Sequence, residues 1–285
     1  MTKKSKFEKR KHLLKRKNLF QKNNRSANSG LAQLGFEANF KVGFVLGSWF
    51  LIRYIWLTKS PTDAKPRDVN GKQSRTETNN RNMKFDFKEK YILENEIVRL
   101  QPLENTDFNV LLEFSENEPE IWDFNTNGAN GKENLEKYIT NATKNREMEK
   151  EYPFIVFDKV SGKYVGSTRF YGIFLDMKTI EIGYTWYGKK YQGNGINKNC
   201  KYLLLEFAFE KMEMERVAFA ANSKNERSLN AMKSIGCVVE GVLRNCSTDA
   251  KGNRIDATRL SIIKSEWNES VKNNLKQQTV NFASR

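Results

Sequence analysis

A short glycine-containing segment between two more regular stretches is the part of this sequence best suited to chemistry. Residues 186–196 are WYGKKYQGNGI. Glycines let backbone N–H groups turn toward a ligand without an obstructing Cβ. The N-terminus of a following helix adds unpaired donors and partial positive charge. With Lys189 and Lys190 beside it, the segment predicts a site for an anion such as a phosphate or pyrophosphate.

Two widespread phosphate-binding loops do not explain this segment. After Gly193 and Gly195, Lys198 stands where a dinucleotide-binding loop needs a third glycine. The sequence also has no Gly-Lys pair followed by Ser or Thr, which nucleoside-triphosphate loops require. A Gly-x-Gly pair alone is more typical of an ordinary turn before a helix, so the prediction depends on the surrounding elements.

The scarce residue types exclude several kinds of active site. The single histidine, His12, lies near the amino terminus, so the rest of the chain offers no histidine base for a serine or cysteine nucleophile. The cysteines at 200, 237 and 246 form no Cys-x-x-Cys pair and cannot alone complete a four-ligand zinc site. We therefore expect no metal. We interpret the thiols as partly buried side chains of a protein in a reducing compartment, the cytoplasm.

Charge divides the chain into two parts. Residues 1–82 carry 19 basic and 5 acidic side chains, whereas residues 83–285 carry 30 and 29. The composition of residues 1–28 predicts a disordered basic extension. The alternative is a basic amphipathic helix that contacts nucleic acid or an anionic membrane.

An apolar run at 42–57 lies within the first part. It contains Arg53 and is shorter than the roughly 20 residues that a spanning helix needs. A membrane anchor with a cytosolic domain is therefore the less favoured interpretation. The polar stretch at 58–82 predicts a linker, and we expect the folded domain to start at Met83.

The second part predicts an α/β (α+β) domain. Strand patterns alternate with helical ones, and hairpins mix with strand–helix–strand units, so we expect a mixed, mostly antiparallel sheet flanked by helices. The predicted strands are 97–103, 153–158, 164–173, 179–187, 216–221, 238–244 and 255–262. The predicted helices are 105–116, 132–149, 196–212, 225–235 and 264–278.

Two of these patterns also predict which side chains share a face. In the strand 179–187, simple alternation places Ile182 and Trp186 on one face and Glu181 on the other. In the first helix, Val110 is expected on the same inward face as Leu111.

The motif around the glycine pair resembles a known family. Lys190-x-x-Gly193-x-Gly195, after EIGYTW, is similar to the acetyl-CoA loop of the GCN5-related N-acetyltransferases (GNAT). The family usually has Arg or Gln where this chain has Lys190. Backbone groups do most of the binding in such a loop, so this difference leaves the resemblance intact.

Later motifs resemble the ribosomal-protein N-terminal acetyltransferase (RimJ/RimL-like) branch of that family. They are Asn225-x-x-Ser228 followed by MKSIGC, then EGVLR and KGNRID. Cys237 replaces the usual phenylalanine. The resemblance covers about residues 90–267, within an N-acetyltransferase domain over 83–285, and implies the GNAT-type fold.

The resemblance implies an acetyl-CoA-dependent N-acetyltransferase that needs no metal, in which a primary amine attacks the thioester directly. Glu181 is then the candidate general base, with a structural glutamate as the equal alternative. Ser228 is the candidate proton donor to the thiolate, with a structural serine as the alternative. The residues implied to contact acetyl-CoA are Tyr184, Thr185, Trp186, Lys190, Gln192, Gly193, Asn194, Gly195, Ile196, Asn197 and Asn225.

The acceptor stays open at this point. A protein N-terminus and a small amine both fit the resemblance, and the oligomeric state is not predicted. Acidic residues at 116, 118, 120 and 123 either form a solvated surface, which we favour, or line the acceptor side. A different hypothesis is a nucleic-acid- or ribosome-binding protein, in which the basic extension supplies affinity and the domain is a scaffold.

Overall fold

The structure is a computed structural model that describes residues 85–125, 128–249 and 252–283, with side chains up to residue 279. The expectations for residues 1–82, including the basic extension and the apolar run at 42–57, lie outside the described residues. Within the ranges just given, no helix is both long enough and apolar enough to cross a membrane.

The domain is built on one sheet of eight strands in the order β1-β2-β3-β4-β5-β6-β8-β7. Neighbouring strands are antiparallel, except β5 and β6, which are parallel. This confirms the predicted mixed, mostly antiparallel sheet. The strands are β1 (Leu93–Glu94), β2 (Val98–Pro102), β3 (Tyr152–Asp158), β4 (Lys163–Phe174), β5 (Thr179–Tyr187), β6 (Arg216–Asn222), β7 (Val238–Thr248) and β8 (Arg254–Ile263).

Along the chain, helices lie between the strands of this sheet and after the last strand. The main ones are α1 (Phe108–Asn117), α2 (Lys132–Glu147), α3 (Ile196–Glu206), α4 (Glu226–Ser234) and α5 (Lys272–Ala283). A wider helical turn at Phe207–Lys211 extends α3, and two short turns over Lys264–Glu266 and Trp267–Val271 lead into α5. Each predicted helix is present, although Val110 of α1 is exposed rather than packed with Leu111.

Apolar stripes on the helices close the core over the sheet. In α3, Cys200, Leu204 and Leu205 are fully buried, as the helical spacing of apolar residues requires. Trp267 is also fully buried and stacks on Phe209, with ring centroids 5.4 Å apart. These contacts fix α3, and with it the segment that precedes α3, against the sheet.

An extra residue in β5 changes the direction of the side chains at the end of that strand. Trp186 pairs with Ser167 and Gly183 pairs with Arg169, so between these pairs two residues of β5 lie opposite one residue of β4. Tyr184 takes up the extra residue with a positive φ of 51°, the signature of a β-bulge. Trp186 therefore shares a face with Gly183 and Glu181, and the prediction of simple alternation is wrong here.

Strands β5 and β6 are paired only where they begin. Their register runs through Thr179–Arg216, Ile180–Val217 and Glu181–Ala218. Beyond these pairs, β5 continues to Tyr187 against β4, and β6 continues to Asn222 against β8. A gap therefore opens between the two strands, and the β5 bulge lies beside it.

Candidate active site

The glycine-containing segment joins the end of β5 to the start of α3, as the sequence predicts. A short helical turn at Lys189–Tyr191 is followed by Gly193 with φ of 77° and Gly195 with φ of 91°. Helix α3 begins at Ile196. A Cβ at Gly193 would meet no atom within 4 Å, so the space beside its backbone is open to a ligand.

Gln192 connects this loop to two other elements. Its amide nitrogen donates to the carbonyl oxygen of Tyr187 at 2.8 Å, and its amide oxygen accepts from Arg227 of α4. The loop is thereby held between β5 and α4. Arg227 brings a cation to the predicted anion site, and our sequence reasoning missed it, although it lies inside the Asn225-x-x-Ser228 motif.

Two of the acidic residues near the end of α1 contact the same loop. The Glu118 carboxylate accepts from the backbone N–H of Lys189 at 2.7 Å, and Glu120 forms an ion pair with the Lys189 side chain. These two carboxylates support the loop, which neither alternative from the sequence anticipated. Lys190 is exposed, and no ion pair engages it within the described ranges. It is therefore the loop lysine available to an anionic ligand.

Aromatic side chains surround the bulge on one face of the sheet. The Tyr184 ring lies 4.3 Å from the Arg169 guanidinium and meets Tyr171 edge-on at 5.3 Å between centroids. The Trp186 indole N–H donates to the Tyr138 hydroxyl at 3.3 Å. This packing holds the backbone of residues 184–186 in its bulged conformation.

Thr185 points to the other face, where it meets a lysine of α3. The Lys201 ammonium donates to the Thr185 hydroxyl at 2.7 Å. Only 5% of Lys201 is exposed, and this burial lowers the pKa of the ammonium to about 8. No motif in the sequence includes Lys201. A lysine within the apolar stripe of α3 was the available signal.

Glu181 lies on β5 where the gap begins, at the last residue paired with β6. Its Oε1 atom is 2.7 Å from Nη2 of Arg259 on β8, and the two side chains are 22% and 25% exposed. Its Oε2 atom is buried, and the Tyr171 phenol is a second polar neighbour of the carboxylate. Burial raises the pKa of the neighbouring Tyr171 phenol, and the Glu181 carboxylate raises it further.

Asn225 and Ser228 open α4 after β6, on the other side of the gap. The Asn225 side-chain oxygen accepts from the backbone N–H of Ser228 at 3.0 Å, which caps the helix. Within the described ranges, no hydrogen bond engages the amide nitrogen of Asn225. The structure thus brings the predicted site residues to two elements that border one gap: β5 with its loop, and the start of α4.

The three cysteines differ in their exposure. Burial raises the pKa of Cys200 and of Cys237 to about 12, so both thiols stay protonated, whereas Cys246 is exposed rather than partly buried. Across 85–125, 128–249 and 252–283, no group of three His, Cys, Asp or Glu residues could hold a metal ion.

Comparisons with known proteins identify the family. Residues 98–238 match the acetyltransferase (GNAT) domain. YnaD of Bacillus subtilis (strain 168), an uncharacterised N-acetyltransferase, is 31% identical over 133 residues, which are 46% of this chain and 74% of YnaD. YdaF of the same organism, provisionally named as a ribosomal N-acetyltransferase, is 37% identical over 87 residues, or 30% of this chain. That match spans less than half, 46%, of YdaF.

A solved structure supports the same assignment. A provisionally described acetyltransferase from T. thermophilus is 28% identical, with a TM-score of 0.59 over 66% of this chain and 96% of that chain. The fold and the glycine loop after β5 agree with these similarities. The chain belongs to the GNAT family of acetyltransferases, which are acyltransferases.

Proposed function

We propose that this protein transfers an acetyl group from acetyl-CoA to the primary amine of a protein N-terminus. The observation that carries the proposal is the gap between β5 and β6, which has the β5 bulge along one side. At one end of the gap lie the glycine loop and the start of α3. An elongated thioester fits such a gap, with its anionic end at the loop.

The residues present suit the pyrophosphate and the pantetheine arm of acetyl-CoA. The pyrophosphate is suited to the backbone donors of residues 193–197 and to the cations of Lys190 and Arg227. The backbone polar groups of residues 184–186 face a strand edge that β6 does not occupy, and they are suited to the amide groups of the pantetheine arm. The Asn225 amide nitrogen supplies a donor from the opposite side.

The chemistry requires no protein nucleophile. The acceptor nitrogen forms a bond to the thioester carbonyl carbon, the carbon–sulfur bond breaks, and the departing thiolate takes up a proton. We assign Glu181 as the group that accepts the proton of the amine, directly or through water. We assign Ser228, on the first turn of α4, as the donor or relay of the proton that the thiolate receives. Alignment of the amine and the thioester in the gap supplies the remaining rate acceleration.

The choice of a protein N-terminus as the acceptor rests on YdaF, whose provisional name specifies a ribosomal N-acetyltransferase. Small amines remain the alternative acceptor. The test is release of free CoA from acetyl-CoA with three acceptors: peptides copying ribosomal-protein N-termini, the same peptides already acetylated at the N-terminus, and a set of polyamines and amino sugars. We expect turnover with the free peptides alone. Turnover with small amines only would reassign the acceptor, and turnover with none of these acceptors would reject the proposal.

A further inference from the structure

We propose that Lys201 is a positioning residue for acetyl transfer: its ammonium holds the Thr185 hydroxyl at the β5 bulge and stabilises the negative charge that develops on the thioester. The inference rests on the proposed function and extends it to a residue outside the family motifs. It assigns a role to helix α3 beyond its first turn.

The hydrogen bonds around Lys201 have a defined direction. An ammonium only donates, so the Thr185 oxygen accepts from Lys201 at 2.7 Å. The Thr185 proton must then point elsewhere, and the Thr168 hydroxyl oxygen lies 2.8 Å away, with the Gly183 carbonyl oxygen at 3.4 Å. This chain of bonds ties α3 to β5 and β4 at the bulge.

The ammonium lies at the gap between the strands. It contacts Thr185 of β5 on one side, and its nitrogen is 5.9 Å from the centre of the Phe219 ring of β6 on the other. Phe219 comes directly after Ala218, the last residue of β6 that pairs with β5. Lys201 therefore lies under the part of the gap that the bulge borders, where the thioester is proposed to bind.

Among the described residues, no counter-charge accompanies this buried cation. The titratable groups that face it are the thiols of Cys200 on its own helix and of Cys237 before β7, and both are neutral because burial raises their pKa to about 12. In the described part of the chain, no carboxylate lies within ion-pair distance of the Lys201 nitrogen.

A buried cation without a counter-charge costs stability, and the lowered pKa of Lys201, about 8, reflects that cost. A positive group that is fixed before the reaction is most useful where negative charge appears only in the transition state. During acetyl transfer such charge forms first on the carbonyl oxygen and then on the sulfur. The arrangement of Lys201 fits this use better than it fits support of the fold.

The stability of a variant without the Lys201 ammonium distinguishes a role in the fold from a role in the reaction. If Lys201 supports the fold, Lys201→Met should unfold at a lower temperature than the wild type. If Lys201 serves the reaction, its replacement by methionine, an apolar side chain of similar length, removes a buried charge. The variant should then be at least as stable as the wild type. In the wild type, the free-energy cost of burying the Lys201 ammonium is complete below pH 8. This cost is relieved as pH rises from about 8 toward the ordinary lysine pKa of 10.5, so the stability gain of Lys201→Met should shrink over that range.

The experiment compares wild type, Lys201→Met, Thr185→Val and Thr185→Ser, with Lys233→Met as the control at an exposed lysine of α4. We expect kcat of Lys201→Met to fall about 10²-fold at neutral pH, the lower end of the effect of one oxyanion donor, with acetyl-CoA affinity changed less than about threefold. The ratio of wild-type to Lys201→Met kcat should decline above pH 8, a comparison that cancels titration of the acceptor amine. Thr185→Ser should keep most of the rate that Thr185→Val loses, and the control should match the wild type.

Three results would overturn the role of Lys201: an unchanged kcat, a pH-independent loss of rate together with a lowered melting temperature, or a loss of acetyl-CoA affinity equal to the loss of rate. A second readout does not need turnover. The thiol of bound CoA, followed by thiolate absorbance, should titrate at lower pH in the wild type than in Lys201→Met. Equal titration overturns the inference even if no acceptor is found, and a protein that binds neither CoA nor acetyl-CoA rejects the proposed function and this inference together.

Discussion

Replacing Glu181 by glutamine tests whether this carboxylate accepts a proton or only pairs with Arg259. Glutamine keeps the shape of the side chain and removes its charge and basicity. The ion pair is 2.7 Å long and about three quarters buried on each side, which places it between exposed and fully buried pairs. We expect Glu181→Gln to lose about 1–2 kcal/mol of unfolding free energy.

The effect on rate should be larger than the effect on stability. A general base contributes about 10²–10⁴-fold, equivalent to about 3–5 kcal/mol of the activation barrier. The assay is kcat and KM over pH with one amine acceptor, together with acetyl-CoA affinity by calorimetry and the melting temperature. We expect kcat to fall by this factor while affinity changes little.

Glu240→Gln is the matched control, because Glu240 on β7 also pairs with an arginine, Arg216, which lies where β5 and β6 are still paired. It should lose a similar or smaller amount of stability and keep wild-type turnover. Ser228→Ala should cost less rate than Glu181→Gln, since water can replace a hydroxyl as the proton source. A Glu181→Gln protein with wild-type kcat across the pH range, or a Glu240→Gln protein slowed equally, would refute the assignment.

Three further predictions concern the loop, the sheet and the amino-terminal part. Gly193→Val and Gly195→Val should weaken acetyl-CoA binding by at least tenfold, because both glycines have positive φ and Gly193 opens onto the proposed ligand; valine at a positive φ strains the backbone, so both variants should also melt below the wild type, and unchanged affinity in calorimetry on the folded variants would exclude the loop. Gly166→Ala should destabilise the protein by about 1–3 kcal/mol, since the new Cβ would lie 2.2 Å from the Trp186 carbonyl oxygen; urea unfolding measures this, and an unchanged midpoint would contradict the packing. A protein starting at Met83 should match the full chain in melting temperature and turnover, and an inactive or insoluble one would show that the amino-terminal part is needed.

Local patterns in the sequence were sufficient to predict the strands, the helices and the glycine loop. The alternation in 179–187 predicts β5 to the residue, and the glycine pair followed by an amphipathic stretch predicts the start of α3. These predictions succeed because hydrophobic period and glycine position act over a few residues. The bulge at Tyr184 could not be predicted in this way, because an extra residue in β5 shows only against its pairing with β4.

The side chains that complete the site come from separate parts of the chain. Arg259 reaches Glu181 across 78 residues of sequence, and Glu118 reaches the Lys189 backbone across 71. Lys201 looks in the sequence like a polar interruption of a core helix, and its contact with Thr185 depends on how α3 crosses the sheet. Such contacts require the tertiary fold, so motifs alone could not assign them.

Hydrogen–deuterium exchange with and without acetyl-CoA tests the central claim most directly, since it locates the ligand on the chain. We predict slower amide exchange on ligand addition in residues 192–198 and 184–186, which border the gap between β5 and β6, and unchanged exchange in β7. Binding of acetyl-CoA without protection in either segment, or with protection confined to other elements, would contradict a ligand site in this gap.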